Sequence, residues 1–348
     1  MKKVGIITIF DEDNYGNRLQ NYAVQEILVS LGFDAETIKN VNIIEEFNLL
    51  EDVKKVLPER RERFLDFNNS NMNINNEVII HDNVPENFHE NYDYFVIGSD
   101  QIWNHEFPER FSNFSFAEFA PKEKRIALSA SFGIENIDEE IFEKYEALKD
   151  LKAISVRENA GGKLVKDITG REDAVVLIDP TMMLPKEKWI TVMKKPEMLK
   201  SDRYILKYFL GNVSEEKNAE IEKFAKENEC DIIDILDKDS FYATGPSEFI
   251  YLIKNSFLVL TDSFHSCVFS ILFDRPFLIF DRDQDGMRNM NSRIDTLLEK
   301  FDLENRRFNN KIEEKDLEVD YSNSYKKLEK EREKVIEFLT RALELEEK

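Results

Sequence analysis

Short apolar runs alternate with amphipathic stripes along most of this chain. Val4 to Ile9 is apolar and bounded by polar residues, as expected of a parallel strand buried on both faces. Leu19, Tyr22, Ala23 and Ile27 then fall on one helical stripe that begins near Asn17 and stops at Leu31-Gly32, glycine being a common helix terminator. Asp34 to Ile38 reads as a second strand, so the chain opens as a βαβ unit. Residues 40 to 92 are less regular and are expected to hold two helices and a short strand near Val78–Ile80. Strand patterns return at 94–97, 126–128 and 153–156, with helical patterns between them, notably over 137–151.

The pattern is interrupted near Val175-Val176-Leu177-Ile178-Asp179-Pro180 and then restarts. Strands are predicted at 204–209, 231–235, 257–260 and 277–280. Helices are predicted at 215–228, 246–254 and from near Ser263, and a last one over 324–345 carries Tyr325, Leu328, Val335, Leu339 and Ala342 on one face. Such alternation predicts parallel sheets covered by helices. The expected architecture is α/β, two Rossmann-like domains facing a cleft, with residues 1–175 forming the first and 176–348 the second, closed by the C-terminal helix.

Length and charge narrow the partners. At 348 residues the chain suits two domains of about 150. A formal net charge of −22 argues against non-specific nucleic-acid binding and against adhesion to anionic lipid. An anionic substrate would need a few focused cations. Cys230 and Cys267 are far apart and form no C-x-x-C pair, which argues against zinc and dithiol chemistry. The apolar start is too short for a signal peptide, and no run approaches the roughly 18 residues that cross a bilayer, so a cytoplasmic protein without stable membrane insertion is expected.

Four segments place reactive side chains at predicted strand ends, where open α/β sheets bind ligands. Asn14-Tyr15-Gly16-Asn17 follows the first strand; its amides suit sugar hydroxyls, or Asn17 simply caps the helix while Gly16 shapes the turn. In Ser99-Asp100-Gln101-Ile102-Trp103-Asn104, Asp100 suits a hydroxyl proton and Trp103 a sugar face; alternatively Ser99 and Asp100 cap a helix and Trp103 packs in the core. Arg157 suits a carboxylate or phosphate, or else pairs with Glu158 or another acid. Ser263 and His265 open a helix in the second half. Of the four histidines, 81, 89, 105 and 265, only His265 is so placed, and it suits either proton transfer or a buried structural role. No Walker loop, G-x-G-x-x-G, nucleophile elbow or His-metal motif is present.

In order, Asn14-Tyr15-Gly16-Asn17 with Leu19-Gln20-Asn21-Tyr22-Ala23, Gly98 to Asn104, Ala130-Ser131-Phe132-Gly133, Ser155-Val156-Arg157-Glu158, Asp179-Pro180-Thr181, Thr261-Asp262-Ser263-Phe264-His265 and Asn291-Ser292-Arg293-Ile294 resemble the polysaccharide pyruvyl transferase family. That resemblance implies a GT-B-like fold and transfer of a pyruvyl group from phosphoenolpyruvate to a sugar as a cyclic ketal, with no metal and no cofactor beyond the donor substrate. It implies a nucleotide- or lipid-linked acceptor in surface polysaccharide assembly, with the first domain as acceptor side and the second as donor side. His265 and Asp100 become the catalytic pair. Asn14, Gly16, Asn17, Ser99, Gln101, Trp103, Asn104, Arg157, Ser263 and Arg293 become substrate-binding residues. Two positions depart from the family: Ser263 stands where members carry an Arg, and Ser266 where a Gly usually follows the His. The absent Arg leaves Arg282, Arg288 or Arg293 to take its place. The rival readings are a nucleotide-sugar glycosyltransferase on the same scaffold and a non-catalytic sugar- or nucleotide-binding relative.

Overall fold

The computed structural model describes residues 1–11, 13–41, 58–80, 82–108, 111–282 and 292–346. It divides into two compact units, one formed by Met1–Val56, Asn68–Leu184 and Glu329–Lys348, the other by Leu57–Phe67 and Pro185–Leu328. The division follows Leu184 rather than residue 175, and two segments are exchanged relative to the sequence expectation. Polar ties explain this. Met182 and Leu184 offer their carbonyls to Arg332 Nε and Nη2 at 2.8 and 3.1 Å, which anchors the end of the C-terminal helix to the first unit. Arg60 Nη1 donates to the Tyr242 carbonyl at 2.9 Å and Arg63 pairs with Glu248 at 3.2 Å, which ties residues 57–67 to the second.

The first unit contains β1 (Lys3–Ile7), α1 (Tyr15–Ser30), β2 (Asp34–Thr37), the two-residue pair β3 (Asn40–Val41) and β4 (Ile79–Ile80), β5 (Tyr94–Ile97), β6 (Arg125–Ala130), β7 (Ala153–Val156), α3 (Asn159–Thr169) and β8 (Val175–Val176). Helix α2 (Pro58–Asn71) lies between β3 and β4 in the chain; it is the one α-helix described in the irregular stretch, which also holds a 3-10 turn at Phe88–Asn91 and whose residues 42–57 fall outside the described ones. The main sheet runs β2-β1-β5-β6-β7-β8, with every pair parallel. Its central strands β1 and β5 are nearly continuous apolar runs, as expected of parallel strands buried on both faces. The chain leaves β1 toward β2 on one side and returns to β5 on the other, so a topological switch point lies at the carboxyl ends of β1 and β5.

Residues Glu139–Asp150 form 3-10 turns instead of the α-helix expected there. Phe142, Tyr145, Leu148 and Leu151 recur every third residue, and a three-residue turn keeps that stripe on the core while an α-helix would rotate it away.

The second unit contains α4 (Lys186–Val192), β9 (Tyr204–Tyr208), α5 (Glu215–Glu227), β10 (Asp231–Asp234), α6 (Pro246–Asn255), β11 (Leu258–Thr261), α7 (Phe264–Leu272), β12 (Phe277–Ile279), α8 (Ser292–Phe301) and the start of α9 (Ser322–Ala342). Its sheet is β10-β9-β11-β12, again all parallel. Here the switch point lies at the carboxyl ends of β9 and β11. No helix among the described residues is long and apolar enough to cross a membrane.

Candidate functional site

Both switch points are crossed by a buried aspartate. In the first unit it is Asp100, just past β5, held in the left-handed region at φ 65°. That conformation is uncommon for a residue with a Cβ and concentrates at sites where the surroundings enforce it. Asn17 Nδ2 from the α1 side donates to Asp100 Oδ2, and the Gln101 N–H donates to Oδ1 at 2.9 Å. Asn14 is the residue that caps α1, accepting the Asn17 N–H at 3.1 Å; Asn17 and Gly16 sit inside the helix, so neither caps nor shapes the turn as expected.

Asn17, Gln20 and Asn21 are spaced so as to share one face of α1. All three are buried, and among the described residues each has an amide oxygen without a hydrogen-bond partner. Their amide nitrogens are used: Gln20 Nε2 reaches Thr8 Oγ1 at 2.7 Å and Asn21 Nδ2 reaches Thr37 Oγ1 at 2.8 Å. Unmade acceptors of this kind are complementary to hydroxyl donors.

Arg157, expected as an anion ligand, is instead the centre of an internal ion-pair cluster. It is 3% exposed. Its Nη1 donates to Asp179 Oδ2 at 2.5 Å and its Nη2 lies 3.4 Å from Asp100 Oδ1. Burial alone would depress the guanidinium's pKa, but the charges of Asp179 and Asp100 outweigh it and hold the pKa above its ordinary value. Ser99 Oγ completes the cluster, donating to Asp179 Oδ2 at 3.0 Å. Glu158 does not pair with Arg157; its Oε1 accepts Ser131 Oγ and the Phe132 N–H at 3.0 and 2.9 Å.

Trp103 is also corrected. It is fully buried, its Nε1 donates to the Ser115 carbonyl at 3.1 Å, and its ring stacks on Phe116. It offers no face to a sugar. Asn104 and Gln101 bond one another at 2.8 Å and shape the same loop. Gly133 abuts that loop at φ +70°, where an added Cβ would lie 2.1 Å from Gln101 Oε1. Gly133→Ala should therefore destabilise the protein by about 1–3 kcal/mol. An unchanged denaturation midpoint would rule out this tight fit.

In the second unit the corresponding residue is Asp262, just past β11. Its carboxylate accepts the N–H groups of Leu210 and Gly211, from the loop after β9, at 2.8 Å each. Ser263 then caps α7, and His265 lies in the first helical turn, 7% exposed, with its ring edge-on to Phe264 at 5.3 Å. The side chain of Arg282, which follows β12, meets Asp262 at 3.1 Å. Arg293 is buried at the start of α8; Arg288 and Asn291 lie outside the described residues. His105 bonds Tyr145 Oη at 3.0 Å within the first core, and His81 lies outside the described residues. Sequence reasoning gave Asp262 no role of its own, considered Glu158 only as a partner for Arg157 and read Asp179 only as part of the break in the pattern, because each acts through partners distant in the chain. No group of three or more His, Cys, Asp or Glu among the described residues is placed to hold a metal.

Residues 14–284 match the family model described as polysaccharide pyruvyl transferase. Among curated proteins none matches the sequence. Several solved structures share the fold. The UDP-GlcNAc 2-epimerase from Methanocaldococcus jannaschii aligns over 97% of this chain and 99% of its own, at 12% identity and a TM-score of 0.54. The S. aureus MnaA–UDP co-structure aligns over 99% of this chain and 98% of its own, at 11% identity and a TM-score of 0.54. The UDP-N-acetylglucosamine 2-epimerase from Rickettsia bellii aligns over 98% of this chain and 96% of its own, at 10% identity and a TM-score of 0.51. The fold, two Rossmann-like α/β units, is GT-B-like.

Proposed function

The chain belongs to the polysaccharide pyruvyl transferase family, and from that premise we propose that it transfers the pyruvyl group of phosphoenolpyruvate to a sugar, closing a ketal on two hydroxyls. The observation that carries this reading is the switch point of the second unit, where α7 begins with Ser263 and His265 while Arg282 is held on Asp262. A helix N-terminus and a fixed guanidinium suit the donor's phosphate and carboxylate.

In this reaction one sugar oxygen adds to the central carbon of the donor as the methylene carbon takes a proton and becomes a methyl. Phosphate then leaves with the electron pair of its C–O bond, and the second sugar hydroxyl closes the ring, its proton leaving with inorganic phosphate. We assign proton delivery to His265 and acceptance of the first hydroxyl proton to Asp100. Asn14, Asn17 and the neighbouring amides of α1 supply acceptors for the sugar's hydroxyls. Arg157 supports Asp100 in this scheme and does not bind the donor. The acceptor is a nucleotide- or lipid-linked sugar of a surface polysaccharide precursor, and the reaction is cytoplasmic.

The UDP and UDP-GlcNAc named for solved structures of the same fold favour one second reading, a glycosyltransferase using a nucleotide-sugar. The two part on their leaving group. With phosphoenolpyruvate and a panel of UDP- and lipid-linked sugars, sugar-dependent release of inorganic phosphate is expected. Release of UDP without phosphate would replace the first reading by the second, and ligand binding without turnover would leave a binding protein.

A further inference from the structure

Asp262, just past β11, joins its own loop to those that follow β9 and β12 in the second sheet. It is 3% exposed. Its Oδ1 accepts the Leu210 N–H and its Oδ2 accepts the Gly211 N–H, each at 2.8 Å. From the loop after β12, Arg282 Nε donates to Oδ2 at 3.1 Å and Nη2 donates to the Asp262 carbonyl at 3.0 Å. A guanidinium is planar and carries five N–H donors along two usable edges. Here the Nε–Nη2 edge faces Asp262, and among the described residues the Nη1–Nη2 edge is left. Arg282 is buried enough to be fixed but keeps 17% of its side chain exposed. It is therefore oriented beside the start of α7 with one bidentate edge in reserve.

A second observation concerns the first turn of the helix that follows Asp262. Ser266, in the first turn of α7, is fully buried, and its Oγ has no hydrogen-bond partner among the described residues. Nearly all buried hydroxyls are bonded, so an unmade bond in a helix's first turn leaves a donor that suits an acceptor brought by a ligand. The backbone N–H groups of that turn need acceptors as well.

We propose that Arg282, held by Asp262, and Ser266 Oγ grip one oxyanion of the substrate, a phosphate or a carboxylate, in the second unit. This deepens the donor reading given above and rests on it only for the identity of the anion. Arg282 then supplies the cation that the serine at position 263 cannot.

The test is calorimetric titration of the full chain and of Arg282→Gln and Arg282→Lys with inorganic phosphate, phosphoenolpyruvate and UDP, alongside Tm. Arg282→Gln should weaken the anion that the wild type binds by about ten- to a hundredfold. Arg282→Lys should recover only part of this, because an ammonium cannot serve Asp262 and a ligand through two edges. Ser266→Ala should weaken the same ligand by a smaller factor. If UDP rather than phosphoenolpyruvate shows the Arg282-dependent affinity, the pyruvyl reading fails while the oxyanion site stands. If Arg282→Gln binds all three as the wild type does and only its Tm falls, Arg282 is a structural tie and the proposal is overturned. A wild type that binds none of the three overturns it too.

Discussion

Arg157→Met should cost the first unit about 3–5 kcal/mol, on the order of 10 °C in Tm for roughly 200 residues. The reason is what the substitution leaves behind. Asp179 and Asp100 both approach the guanidinium, and the Arg157 and Asp179 side chains are 1% and 0% exposed. Methionine fills much of the same volume but leaves two buried carboxylates without their cation. Asp179 keeps Ser99 Oγ and the Thr181 N–H, and Asp100 keeps Asn17 and the Gln101 N–H, so the fold should survive in weakened form. Removing one partner of a buried pair is far costlier than replacing both. Asp179→Asn combined with Arg157→Met should therefore recover part of the loss. Thermal unfolding and donor KM, measured on the same protein, decide the matter. An unchanged Tm with a raised donor KM would return Arg157 to the role of anion ligand that its strand-end position suggests.

That reversal marks where sequence reading stops. The position of Arg157 was legible, because an apolar run followed by a polar residue marks the end of a buried strand, and β7 ends at Val156. The partners were not legible. Asp179 lies 22 residues away and Asp100 lies 57 away, and only the order β5-β6-β7 in the sheet brings them to one place. Trp103 failed for a related reason: an aromatic in a polar loop reads as exposed unless the partners of its N–H and its ring, here Ser115 and Phe116, are known. The central strands of both sheets, β1, β5, β9 and β11, were found within a residue or two because burial on both faces writes itself as an apolar run. The exchange of Leu57–Phe67 and Glu329–Lys348 between units left no such trace. It depends on single arginines, Arg60 and Arg332, bonding to backbone carbonyls of residues 150 or more positions distant.

His265→Gln should lower kcat for ketal formation by about 10²- to 10⁴-fold, the usual contribution of a positioned proton-transfer group. The imidazole sits in the first turn of α7, one residue past the helix start, on the element that follows β11 at the switch point of its sheet. Phe264 packs edge-on to it and so limits its rotation. Glutamine can still donate a hydrogen bond there, so ligand binding should survive. It does not exchange a proton between about pH 5 and 8, as histidine does, and the pH–rate profile should lose its imidazole limb. The expected signature is thus a split: kcat falls in His265→Gln while donor affinity stays close to the wild type, whereas Arg282→Gln raises the donor's Kd first. The competing explanation is a core histidine held for packing, since the ring is only 7% exposed. A packing role predicts the opposite split, a Tm lowered by several degrees with turnover intact, and that result would remove His265 from the catalytic machinery.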